Sequence, residues 1–62
     1  MVKIVNCEGD VANLRDAAGG GQVIGRARYG HTYPYYGKYN GWYRISVHGQ
    51  MGYVYKDYVK VL

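Results

Sequence analysis

Cys7, His31 and His48 are the chain's only thiol and imidazole groups. A thiol within hydrogen-bond reach of an imidazole makes a nucleophile and its base. Nothing in the spacing of these three brings them together. A lone cysteine near a strand end reads instead as a small apolar filler. A structural zinc site takes about four ligands, and one Cys with two separated His and no C-x-x-C does not provide them. The acidic residues form no evident general acid/base pair. The glycine triplet Gly19-Gly20-Gly21 lacks the strand and helix that flank a phosphate-binding loop. The expectation is a chain with no catalytic residue, no metal site and no cofactor, hence not an enzyme, although it could accompany one in a longer protein.

The aromatic residues carry more. Nine Tyr and one Trp occur with no Phe, and six of those Tyr and the Trp fall within Tyr29–Tyr43. Exposed Tyr and Trp offer flat, rigid contact area at low entropy cost, with a hydroxyl or N–H to fix orientation. A chain of 62 residues buries too little surface to hide them all. Tyr33, Tyr35, Tyr43 and Tyr53 are assigned inward, to core or half-core positions. Tyr36, Tyr39, Trp42, Tyr55 and Tyr58 are left as candidate ligand contacts. Asp16, beside the glycine triplet, joins them as a polar contact for the charged or amide groups of a ligand. Its neighbour Arg15 is read as architectural, with its stem packed across the fold.

The elements that must position these residues are short strands cut by glycines. Val2–Val5 alternates around Lys3 and forms a first strand. Cys7–Asp10 reads as a turn around Gly9, and Val11–Arg15 as extended. Asp16–Gln22 is expected to be a mobile loop, because three successive glycines cost backbone entropy in any regular element. Val23–Tyr29 places small residues opposite Arg26 and Arg28. Thr32–Tyr36 follows as a strand with Tyr33 and Tyr35 on one face and Pro34, which has no amide donor, turned to an unpaired side. Gly37–Gly41 is a loop. Trp42–Val47 alternates most cleanly, with Tyr43, Ile45 and Val47 on one face. His48–Gly52 makes a tight connection to Tyr53–Tyr55. Lys56–Tyr58 is one 3₁₀ turn, and Val59–Leu62 a last short strand. With no helix-period segment, these argue for one all-β domain over residues 1–62, a small closed barrel of five to six strands whose closure removes sticky edges.

Composition narrows the class. No apolar run approaches the length of a membrane-spanning helix, so no membrane insertion is expected. No charged n-region is followed by an apolar h-region, so no signal peptide is expected within these residues. One cysteine forms no internal disulfide. Eight Lys/Arg against four Asp/Glu give a net charge of +4, which biases the domain toward anionic polymers in general. The basic residues are dispersed rather than blocked, as on an ordinary solvated surface.

In this order and spacing, Asn13-Leu14-Arg15, the glycine-rich loop, Val23-Ile24-Gly25, Gly30, Asn40-Gly41-Trp42-Tyr43-Arg44-Ile45, Gly49-x-x-Gly52-Tyr53-Val54 and Tyr58-Val59 resemble the bacterial SH3-like (SH3b) domain across Ala12–Leu62. The resemblance implies an SH3-like barrel with Leu14 and Val23 facing its core and Asn40-Gly41 turning into the Trp strand. The chain departs from the family pattern in having Asp16-Ala17-Ala18 for Ser-Gly-Pro, and in Tyr33 and Tyr35 at two inward β-branched positions. Its ending also echoes eukaryotic SH3 domains, with Tyr55 where proline would sit.

In SH3-like barrels the loop after the first strand, the loop before the Trp strand and the closing turn converge on one groove. That would gather Asp16, Tyr36, Tyr39, Trp42, Tyr55 and Tyr58 into a ligand-binding groove. SH3b domains accompany peptidoglycan hydrolases, phage lysins and cell-surface proteins. The resemblance therefore implies a non-catalytic module that targets cell-wall peptide or glycan, monomeric, and located in the cell envelope or outside the cell. Two other readings stand beside it. One is a protein–protein adaptor for extended peptides, weakened by the absence of an acidic loop. The other is a small basic nucleic-acid-binding barrel that stacks bases on its rings, weakened by the dispersed charge.

Overall fold

A computed structural model describes residues 1–5 and 11–62. The turn expected at Cys7–Asp10, with Cys7 itself, lies outside the described residues. The strands are β1 (Val2–Ile4), β2 (Val11–Arg15), β3 (Val23–Arg28), β4 (Thr32–Tyr33), β5 (Tyr35–Tyr39), β6 (Trp42–Val47), β7 (Gln50–Tyr55) and β8 (Val59–Val61), with a 3₁₀ turn at Lys56–Tyr58 before β8. All pairings are antiparallel. They make two sheets, ordered β4-β1-β8 and β3-β2-β7-β6-β5. This is the small SH3-like all-β architecture expected, with eight strands among the described residues rather than five or six.

The added strands have local causes. The segment expected as one strand over Thr32–Tyr36 divides at Pro34. Proline has no N–H to continue a ladder, so the pairing partner changes there: β4 pairs with β1 and β5 with β6. The Pro34 carbonyl still accepts the Ser46 N–H at 3.1 Å. The segment expected as a loop over Gly37–Gly41 is mostly strand. Only Asn40 and Gly41 turn, with φ of 51° and 84°, between the paired residues Tyr39 and Trp42. Two positive φ values in a two-residue connection are the signature of a type I′ hairpin, whose twist matches the strands it joins. His48-Gly49 repeats the device between Val47 and Gln50, with φ of 52° and 82°, so the connection expected over His48–Gly52 is also two residues long.

Alternation places the core between the sheets. Val2, Ile4 and Tyr33 come from one sheet, and Ala12, Leu14, Ala27, Ile45, Val47 and Val54 from the other, with Ile24, Tyr43 and Val59 packed against them. Three expectations fail here. Val23 is not a core residue; it is 47% exposed, and Ile24 packs inward instead. The register slips after Leu14, so that Leu14 opposes Gly25 while Arg15 opposes Val23. The extra residue exchanges the two faces of the strand. Tyr53 points outward, because Gly52 and Val54 on either side of it are the buried residues of β7. Tyr35 faces inward opposite Ile45 but is 37% exposed, so it is not core. It starts the strand beyond Pro34 and lies at the rim, its ring 5.3 Å from that of Tyr43.

Tyr33 is the one fully committed core tyrosine. It is 6% exposed, and its hydroxyl accepts the Arg28 N–H at 3.0 Å. A buried hydroxyl must find such a partner. Tyr33→Phe leaves that amide without it and is expected to cost about 1 kcal/mol, read as a fall in Tm of roughly 4–8 °C for a domain of this size. An unchanged Tm would show the bond to be worth nothing net.

Candidate functional site

Trp42 and Tyr55 oppose each other across the β6–β7 ladder. Because Tyr43 and Val54 turn toward the core, Trp42 and Tyr55 project from the outer face. Their rings meet edge-on, with centroids 5.2 Å apart and planes inclined at 64°. The edge of one ring is thereby set against the face of the other, the arrangement aromatic quadrupoles favour.

The 3₁₀ turn follows Tyr55 at once and is tied down at both ends. The Lys56 N–H donates to the Gly41 carbonyl at 2.9 Å, and the Tyr58 carbonyl accepts the Val5 N–H at 2.9 Å. The stem of Lys56 lies over Gly41, about where a Cβ on that glycine would make ordinary contact. The hairpin that launches Trp42 therefore also anchors the turn that carries Tyr58. Strand β2 supplies the floor: Ala12 and Leu14 point inward, so Val11, Asn13 and Arg15 point out. These three with Trp42, Tyr55 and Tyr58 surround an open cavity of about 490 Å³.

Arg15 and the glycine-rich loop form its polar end. The Arg15 Nη1–H donates to the Gly21 carbonyl at 2.9 Å. Asp16 Oδ1 accepts the Gln22 N–H at 2.9 Å, and the Asp16 N–H donates to the Gln22 carbonyl at 3.0 Å. The loop expected to be mobile is thus closed at its base. A Cβ on Gly21 would run into the Asp16 carboxylate and the Ala17 backbone. Gly21→Ala is expected to open this closure, read as faster amide hydrogen exchange at Gln22 with the core strands unchanged. Exchange at the wild-type rate would mean that the loop accommodates the methyl group.

Of the six expected groove residues, Trp42, Tyr55 and Tyr58 come together around the cavity. Tyr39 stands one strand away, opposite Trp42. Its ring packs on Tyr53, centroids 5.9 Å apart at 74°, and covers Gly37, where a Cβ would lie 3.1 Å from it. It forms a shoulder beside the cavity rather than part of its lining. Tyr36 is exposed where the β5–β6 register is irregular and does not line the cavity. The Asp16 carboxylate is occupied in closing its loop. Val11 and Asn13 were not foreseen. Their signal was the alternation of Val11–Arg15, which fixes an outer face once β2 is known to border β7. Arg15, expected to pack its stem across the fold, holds the Gly21 carbonyl from the outer face and lines the cavity.

The arrangement offers two aromatic rings set edge-on, a third at the rim, and amide and guanidinium donors at the floor. Such a surface can bind and orient; among the described residues that line it there is no nucleophile–base pair. The family model for the bacterial SH3 domain matches residues 10–60. No curated protein matches the chain.

Proposed function

The chain belongs to the bacterial SH3 domain family, and on that premise we propose that it is a non-catalytic module that docks on cell-wall peptide or glycan through the Trp42–Tyr55–Tyr58 cavity. The family is in general one of binding modules. The observation that carries the finer reading is the cavity itself: shallow, open, aromatic on one side and lined by Asn13 and Arg15 on the other. An extended peptide with small side chains lies flat on such rings, and its amides and carboxylate meet the Asn13 amide and the Arg15 guanidinium. Sugar rings stack on the same surface. The setting that follows is the cell envelope or the outside of the cell, with the domain acting as a monomer. The test is a pull-down with purified sacculi stripped of anionic polymers. Saturable binding, competed by soluble stem-peptide or glycan fragments, is expected at moderate salt. Sacculi that leave the protein in the supernatant at every concentration would overturn the proposal.

A further inference from the structure

A second cavity runs along β3, with a volume of about 620 Å³. Its charged and imidazole side chains are Arg26 and Arg28 from β3, His31 just beyond it, and His48 from the β6–β7 turn. No Asp or Glu is among the described residues that line it. The two described carboxylates, Asp16 and Asp57, sit in the glycine-rich loop and the 3₁₀ turn. We propose that this cavity is an anion-binding site that takes a phosphodiester chain of the polyol-phosphate kind.

Three features point to a repeating anion rather than a single one. Arg26 and Arg28 are two residues apart on one strand, so their side chains leave the same face about 7 Å apart. His31 and His48 extend the row of donors from two further segments. The cavity is large for one phosphate group and ample for several.

The backbone that carries these donors is also held in place. The His31 N–H donates to the Arg28 carbonyl at 3.2 Å, and the Gly30 N–H to the Ile4 carbonyl at 2.8 Å. His31 stacks on Tyr33 with centroids 6.4 Å apart and planes at 24°, while Tyr33 itself holds the Arg28 N–H. His48 sits in a turn fixed by positive φ. β3 is an edge strand of its sheet, which leaves room for a chain to lie along it. Guanidinium groups suit phosphate oxygens, because their paired N–H donors match two oxygens at once.

The choice against nucleic acid rests on the rings. Sequence-tolerant single-strand binding stacks successive bases on several large aromatic faces, and this cavity has Tyr29 as its one Tyr or Trp among the described residues, beside the two smaller imidazoles; the paired large rings belong to the other cavity. A phosphodiester chain without bases uses what is present. Val11 borders both cavities, so they lie side by side.

The experiment titrates a short synthetic glycerol-phosphate oligomer into the ¹⁵N-labelled protein. Expected are saturable amide shifts centred on Arg26, Arg28, His31 and His48, with binding weakened by about tenfold or more at low salt in the R26Q/R28Q double variant. Trp42→Ala should leave this binding unchanged, so its failure and that of the sacculus experiment are read separately. K3Q/K60Q removes the same charge from an exposed pair on β1 and β8 and should weaken binding far less. Four results would overturn the proposal: no saturable shift; shifts centred on the Trp42 cavity; equal weakening by K3Q/K60Q, which reduces the effect to net charge; or tighter binding of an oligothymidylate of equal charge, which assigns the cavity to nucleic acid.

Discussion

Gly52→Ala is expected to be the most destabilising methyl addition among the described glycines. Gly52 is buried in β7, and a Cβ there would lie 2.5 Å from Leu14 Cγ, 2.7 Å from Leu14 Cδ1 and 2.9 Å from the Arg15 carbonyl oxygen. Leu14 is fully buried, so its side chain has nowhere to go, and the carbonyl is backbone. The methyl must push β2 and β7 apart at the point where the outer face carries the cavity floor. Overpacking of this kind costs about 1–3 kcal/mol. At about 2 kcal/mol the expected fall in Tm is on the order of 8–16 °C for a domain this small.

Gly25→Ala is the control. A Cβ there meets the Gln50 side-chain oxygen at 3.2 Å and Leu14 Cδ2 at 3.5 Å. The nearer of these is the tip of an exposed, flexible side chain, so the change should be far milder. Thermal melts of the two variants decide the matter. Similar losses at both positions would show that the β2–β7 approach is not a tight one. Leu14→Ala in the Gly52→Ala background should cost less than the two changes summed, since the methyl fills part of the space that Leu14 vacates.

The same two strands show what a sequence discloses and what it conceals. Asn40-Gly41 between alternating strands is a local signal with a local cause, and the hairpin is where that signal places it. Val11–Arg15, Trp42–Val47 and the Lys56–Tyr58 turn are legible for the same reason: their patterning needs no knowledge of a partner. Val23 was misplaced because alternation was carried across an irregularity, where the register slips against β2. Tyr35 keeps the inward face, opposite Ile45, but beyond Pro34 the chain joins the other sheet and the ring reaches only the rim. Tyr53 lies between the buried Gly52 and Val54 and so takes the outer face. In each case the neighbouring strand, which is not written locally, decides how a residue is placed.

The candidate site divides along the same line. Trp42 and Tyr55 are register partners, and Tyr58 follows in the adjoining turn. Tyr36 and Tyr39 lie only a few residues from Trp42, yet strand pairing takes them out of the lining. Val11 and Asn13 are distant in sequence and enter it through the β2–β7 border. Of the nine tyrosines, Tyr33 serves the core and Tyr55 and Tyr58 the cavity. Tyr39 and Tyr53 lean on each other, and Tyr43 holds Tyr35 and the Lys38 ammonium, 5.6 Å from its ring centroid. The tyrosine excess thus serves a set of paired rings on the sheet surfaces more than a single groove.

Trp42→Ala is the prediction with the largest expected effect on binding. The indole is half-buried, set edge-on against Tyr55, and forms a wall of the cavity. Its removal deletes the largest apolar contact offered to a ligand and frees Tyr55 to rotate. Central aromatic anchors typically cost 2 kcal/mol or more on truncation, so the affinity for sacculi should fall by roughly 30-fold or more. Trp42→Phe keeps a ring without the indole N–H and should recover much of the loss if stacking dominates, and little if the N–H is the main contact. The fold should survive, because the Trp42 side chain is on the outer face and takes no part in the core. Circular dichroism and the melt establish that before binding is read. Undiminished sacculus binding by a folded Trp42→Ala variant would remove the aromatic cavity as the docking site. A parallel loss in Tyr55→Ala, with the double variant no worse than Trp42→Ala alone, would instead show that the two rings act as one unit. Their geometry leads to that expectation, because each ring fixes the angle at which the other meets the ligand.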